Sequence, residues 1–364
     1  MKIGDLIKCF EDYAPLLYQD SYDNAGLIIG NINDSTKKVL IALDCTEEVL
    51  EEAIEKKCDL IVTHHPLIFQ GIKKINGNNY IERIIIKAIK NNIAIYSAHT
   101  NLDNIINGVN FKIASKIGLN NCKILKQEKG VLKKIVVYVP ENDADKVREA
   151  IFDAGGGNIG NYDNCSYNTL GFGTFKGSET SNPYVGQKGE MHKEKEIKIE
   201  TIFHKDKEDK IIKNIIKAHP YEEVAYDIYS LDNKCSTIGA GIIGELDKKI
   251  KVFDFLKEVK EIFNIPVIKH TDCENKTIKT VALCGGSGSF LINDAIKQKA
   301  DIFLTSDIKY HQFFDAEQKI ILADIGHFES EFYTKDLMFE IINKKFPTFA
   351  ILLSEIKTNP INYF

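Results

Sequence analysis

One segment of this chain occurs twice. "EAIEKKCDLIVTHH" at residues 52–65 aligns without a gap to "DAIKQKADIFLTSD" at 294–307, with Ala, Ile, Lys, Asp and Thr in register. Each copy carries the end of a helical stripe, then a short apolar run of strand type, and each is followed by another helical stretch and another strand ("IAIYSAHT" and "KIILADIGH"). Strands alternating with helices predict mainly parallel sheets with covered faces. We therefore read the chain as two related α/β halves with mainly parallel or mixed sheets and helices outside, at residues 1–127 and 236–364. Between them, residues 128–235 run strand, helix, glycine-rich stretch, strand, helix, strand. That is the βαββαβ order of a small ferredoxin-like α+β domain.

With 364 residues, more than one core is required. The formal net charge of −5 argues against a general nucleic-acid-binding role, because neutralising phosphates needs a basic face. Eight cysteines lie scattered with no CxxC pair, so reduced thiols are expected rather than a zinc knuckle or disulfides. No apolar stretch approaches the ~20 residues of a membrane helix, and no signal core opens the chain. A cytoplasmic protein without membrane contact is expected.

In open parallel sheets, ligands gather beyond the carboxyl ends of the strands. The run at 58–63 ends in His64, His65 and Pro66; the run at 93–98 ends in His99, with Asp103 four residues on. In the second half, the run at 301–305 leads to Asp307 and His311, and that at 320–325 to His327, with Glu331 four residues later. His327 and Glu331 share one helical face. His64 and His65 would face opposite sides of a strand; Pro66 stops the strand and frees His65, and the pair is best explained as ligands of two cations. Nitrogen and oxygen donors without thiolate suit zinc, manganese, iron or nickel. "LCGGSGSF" (283–290) reads as a turn whose amides could cradle a phosphate, which makes Gly285, Gly286 and Ser287 candidate substrate contacts, with His311 beside them. His219 is expected to cap a helix end.

"YDNAGLIIG", "THHPLIF", "SAHTNLDNIINGVN", "CGGSGSF", "TSDIKYHQF" and "IGHFESEF", in this order, resemble the Nif-three-like family, whose members are often named GTP cyclohydrolase 1 type 2 homologues. The resemblance covers the whole chain. It implies a dinuclear centre of two divalent ions per subunit, zinc first, held by His64, His65, Asp103, His327 and Glu331, the last bridging. His99 and Asp307 would be catalytic or would face the substrate, and the middle segment would be a PII-like insertion. It also implies a homohexamer and a nucleotide-like substrate, in the specific version GTP, whose guanine imidazole is opened with loss of formate. Lys73, Lys74 and Lys309 would then meet the triphosphate. The alternatives are a metal-binding regulatory or scaffold protein without turnover, and a metal-dependent phosphoesterase.

Overall fold

The computed structural model describes residues 1–364. Two compact units result: Met1–Gln127 together with Ser236–Phe364, and Glu128–Cys235.

The larger unit holds two sheets. In the first, Lys38–Ala42, Leu60–Thr63 and Ala94–Ser97 run parallel, and Gly26–Ile29 adds an antiparallel edge. Leu60–Thr63 and Ala94–Ser97 are buried at every position, which is why they read as unbroken apolar runs rather than alternating ones. Helices Glu47–Glu55 and Tyr80–Lys90 cover this sheet, started by Thr46 and Asn79, whose side chains accept the amides of Val49 and Glu82. In the second sheet, Thr277–Ser287, Ile302–Ser306 and Ile321–Asp324 repeat the parallel trio, with Lys269–His270 as the antiparallel edge.

The repeat extends to a matching pair of side-chain contacts. Asp59 Oδ2 accepts the amides of Lys37 and Lys38 at 2.7 and 3.3 Å, and its counterpart Asp301 Oδ2 accepts those of Lys279 and Thr280 at 2.7 and 2.8 Å. Each aspartate ties its own strand to the start of the neighbouring strand, so the same residue serves the same purpose in both halves.

Each half also lends its last strand to the other. Asn120–Gln127 pairs antiparallel with Gly239–Lys251 in the second sheet, whereas Ala350–Leu353 pairs parallel with Lys38–Ala42 in the first. The halves therefore form one unit rather than two separable domains. Unfolding either sheet alone would strip a strand's row of backbone hydrogen bonds from the other.

The smaller unit is a four-stranded antiparallel sheet in the order Tyr167–Lys176, Met191–His204, Leu132–Pro140, Tyr226–Ser230. Helices Ala144–Asp153 and Glu208–Ala218 cover one face over a core that includes Ile135, Val137, Ile199 and Phe203. This is the βαββαβ arrangement expected. The glycine-rich sequence "NTLGFGTF" is part of an extended edge strand. His219 follows the second helix as its C-cap, where Nδ1 accepts the Tyr221 amide at 3.1 Å.

All eight cysteines are free. No helix is long and apolar enough to cross a membrane.

Candidate metal centre

Leu60–Thr63 delivers His64 and His65 to the edge of the first sheet, where both amides are held by the Leu43 carbonyl at 3.1 Å. Asp103 ends the short helix Thr100–Asp103, which directly follows His99. From the second half, helix His327–Glu331 presents its first and last residues on one face. The strand exchange faces the two edges toward each other, and five side chains from distant positions meet. His65 Nε2 lies 3.0 Å from Glu331 Oε2 and 3.3 Å from His327 Nε2, and His327 Nε2 lies 3.1 Å from the same carboxylate oxygen. His64 Nε2 lies 3.6 Å from Asp103 Oδ1 and 3.7 Å from Glu331 Oε1. Glu331 thus stands among three imidazoles.

Tautomers decide what this cluster wants. The Ala98 carbonyl can only accept, so His64 Nδ1, 2.8 Å away, donates to it. His65 Nδ1 donates to Asp44 Oδ1 at 2.7 Å, and His327 Nδ1 to Asp307 Oδ2 at 2.7 Å. In the neutral rings every Nε2 then carries a lone pair, aimed at carboxylate oxygens that carry only lone pairs themselves. His64 Nε2, Asp103 Oδ1 and Glu331 Oε2 are buried and have no hydrogen-bond partner. Acceptors packed against acceptors without water require a proton or a cation between them. Protons are the resolution with no metal present. Burial works against an imidazolium at His65, but Glu331 and then Asp44 override it and hold its pKa at about 10. At His327 burial is likewise outweighed by Asp307 and Glu331, and the pKa stands at about 11. Burial alone would raise Glu331, yet His65, His327 and His64 together hold it well below the usual carboxylate range. At Asp103 burial, with the Glu331 charge beside it, outweighs the imidazoles of His64, His99 and His65, and the carboxyl is raised. Two donor groups, His64–His65–His99 and His65–His327–Glu331, have their ligand atoms within 4.8 Å of one another, so both could hold an ion. The buried orphan atoms make the set fit divalent cations.

The other candidate residues are placed as follows. His99 lies beside His64 and His65, its ring centroid 5.2 and 5.4 Å from theirs, and its Nδ1 is 2.8 Å from Asp23 Oδ1. Asp307 supports His327 and also accepts the Ser287 hydroxyl. His311 is exposed, its ring against Tyr310 and Phe314. The glycine segment pairs as strand up to Ser287, with a bulge between Leu283 and Ser287, and its amides are engaged: Gly285 donates to Asn110 Oδ1, Gly286 to Ser330 Oγ and Gly288 to Thr305 Oγ1. No amide cradle for a phosphate exists there. Gly286 does something else. A Cβ built on it would sit 2.3 Å from Glu331 Oε1 and 3.2 Å from His327 Nε2, so the missing side chain is the space the carboxylate occupies. By the ungapped offset of the repeat Gly286 corresponds to Asp44, although the second strand alone is bulged between Leu283 and Ser287. One half uses that position to brace a histidine and the other to admit a glutamate.

Asp23, Asp44 and Thr358 are the functional side chains the sequence reading did not single out. Asp44 Oδ2 also accepts the Thr358 hydroxyl at 2.5 Å, and Asp23 receives both the amide and the hydroxyl of Thr100. Asp44 follows the end of Lys38–Ala42, so the strand-end rule would have found it if applied to that strand; Asp23 lies inside "YDNAG". Carboxylates that receive the far N–H of a ligating imidazole typically matter 10- to 100-fold for metal affinity. Asp44→Asn keeps the shape but loses the charge that fixes the His65 tautomer. It is expected to weaken zinc binding by about that factor in a chelator competition, with an unchanged far-UV spectrum; affinity within twofold of the parent would contradict the assigned role.

Beside His65, His327 and Asp307 opens a cavity of about 790 Å³, walled by Phe69, Ile72, Tyr80, Phe328 and Ile361.

The architecture and the donor cluster define a two-half α/β protein with a histidine–carboxylate centre between its halves. The sequence profile of Duf34/NIF3 (NGG1p interacting factor 3) matches residues 1–360, and the chain belongs to that family. It is 38% identical over 372 aligned residues to a protein of Halalkalibacterium halodurans named GTP cyclohydrolase 1 type 2 homolog, covering all of both chains. A Bacillus subtilis protein with the same name is 36% identical, with 98% of this chain and 97% of that protein aligned. The crystal structure of a Bacillus cereus protein related to NIF3 superposes with a TM-score of 0.87 at 37% identity, over 100% of this chain and 99% of that one.

Proposed function

We propose that this protein is a metal-dependent hydrolase acting on a nucleotide-like substrate at a centre of two divalent cations, zinc first and manganese, iron or nickel as alternatives. The single observation that carries the reading is the convergence of His64, His65, Asp103, His327 and Glu331 with their acceptor atoms turned on one another. Two cations held there would supply polarisation of an electrophile and a nucleophilic water at about neutral pH. The chain's own groups do the rest. Asp44 and Asp307 orient the rings of His65 and His327; Asp23 orients His99, which we assign to proton transfer at the edge of the centre. The cavity walled by Phe69, Tyr80 and Phe328 receives the heterocycle and keeps water from it.

The name carried by the Halalkalibacterium and Bacillus relatives points to a specific version, in which the guanine imidazole of GTP is opened and formate leaves. Protein loaded with zinc or manganese is expected to release formate from GTP, and Asp103→Ala to abolish the release while keeping the fold. Absence of formate and of ring-opened product from the loaded protein would remove the GTP version.

A second reading, a regulatory protein without turnover, is supported by a separate cavity of about 750 Å³ inside the smaller unit, lined by Tyr138, Phe172, Tyr184, Glu196 and Tyr221. There the PII-like insertion would sense a small ligand.

A further inference from the structure

We infer that the cavity beside the centre selects an uncharged ring without phosphates, a nucleoside or free heterocycle, over the corresponding nucleotide. This rests on the reading of the centre as a two-cation site and departs from the GTP version of it, putting the nucleoside or free heterocycle in place of the nucleotide.

The first ground is the wall. None of the residues lining the cavity is a lysine or an arginine, and two, Asp44 and Asp307, are acidic. Phosphate recognition calls for guanidinium, ammonium or free backbone amides. The amides nearest the centre, those of Gly285 and Gly286, are already donated to Asn110 and Ser330. Lys73, Lys74 and Lys309 are exposed, and none of them lines the cavity.

The second ground is the charge of the centre itself. Asp23, Asp44, Asp103, Asp307 and Glu331 all stand within one hydrogen bond of the imidazole cluster or inside it. Five carboxylates outnumber the four positive charges of two divalent ions, and the histidines that bind a metal do so as neutral rings. Loading the site therefore leaves no net positive field for a triphosphate. In a cleft with low-dielectric walls a net negative field repels an anion more strongly than it would in water.

The third ground is positive. Phe69, Ile72, Tyr80, Phe328 and Ile361 form apolar walls of a volume suited to a bicyclic ring and a sugar, and the Gln70 carboxamide at the same cavity offers a neutral donor and acceptor for a heterocycle edge. These walls suit the faces of a neutral planar ring, and the polar groups lining the rest of the cavity include no cationic side chain besides the imidazoles of His65 and His327.

The test is calorimetric titration of the zinc-loaded full-length chain with guanosine, GMP and GTP at physiological salt. The dissociation constant is expected to rise along that series, by at least tenfold from guanosine to GTP. Ile361→Lys, on an exposed wall position that the fold can accommodate, is expected to narrow the gap about tenfold by supplying the missing cation. GTP binding as tightly as guanosine, no heat from millimolar guanosine, or a gap unmoved by Ile361→Lys would each overturn the inference. Formate release is a separate readout. Guanosine preference without turnover of any guanine compound would leave the cavity's selectivity standing and remove the hydrolase reading.

Discussion

Glu331→Gln is expected to lower bound metal to one ion or none, with the fold retained, if the centre holds the two cations proposed for it. No other side chain touches so much of the cluster: its two oxygens lie within 3.0 to 3.7 Å of His64, His65 and His327. Glutamine has nearly the same volume, so packing in this 4% exposed position survives. What disappears is the charge, and with it the oxygen lone pairs that can serve two cations at once. A ligand present at about a thousand times its dissociation constant stabilises the folded state by roughly 4 kcal/mol. At about 2–4 °C per kcal/mol for a unit of this size, that is a melting shift on the order of 10 °C. The parent protein should show this shift between zinc and EDTA, and the glutamine variant should lose most of it. Elemental analysis of both proteins gives the stoichiometry directly. A variant that keeps two ions and the full shift would refute Glu331 as the shared ligand.

Gly286→Ala is the second large effect, and it leaves every donor atom in place. The new methyl would stand 2.3 Å from Glu331 Oε1, inside the space of an atom held by a buried helix, and the backbone there has φ = +58°, which costs a non-glycine residue roughly 1 kcal/mol. Either the carboxylate or the strand must move, and the cluster opens. Metal content is expected to fall as far as in Glu331→Gln. Gly118→Ala separates strain from crowding. Gly118 also has positive φ, at +78°, ends the helix Val109–Ile117, and has nothing within 4 Å of the added methyl. It should cost about 1 kcal/mol of stability and leave metal content unchanged. Should Gly286→Ala bind two ions with parental affinity, the role assigned to the missing side chain is wrong.

Much of the centre was legible because its donors sit where parallel strands stop. An apolar run buried on both faces announces itself, and the residue just past its end points to the sheet edge; that rule picked out His64, His99, Asp307 and His327 without any contact map. Helical spacing added Glu331, and Asp103 came with the strand end that carries His99. The rule failed where the chemistry depends on a partner far along the chain. Asp44 and His65 are 21 residues apart, Asp23 and His99 76, and Thr358 reaches Asp44 across 314. The glycines of "CGGSGSF" read equally as a phosphate cradle or as a tight turn beside the centre, because a glycine-rich turn and a glycine that clears space for a neighbour look the same in one dimension. The strand exchange was invisible for a similar reason: a four-residue apolar strand such as Ala350–Leu353 carries no mark of which sheet it joins.

By itself the amino-acid sequence determined the alternation of strands and helices, the doubling of the α/β unit, the insertion, and a donor set of nitrogen and oxygen without sulfur. These are local properties, set by side-chain periodicity and residue chemistry within a few turns or strands. Only the tertiary structure decided that the imidazole lone pairs of His64 and His65 face the Glu331 carboxylate of the other half, because that depends on two sheets trading strands and on one absent methyl group. Acceptors are driven together there by the burial of everything around them, and a proton or a cation is what such an arrangement leaves to be supplied.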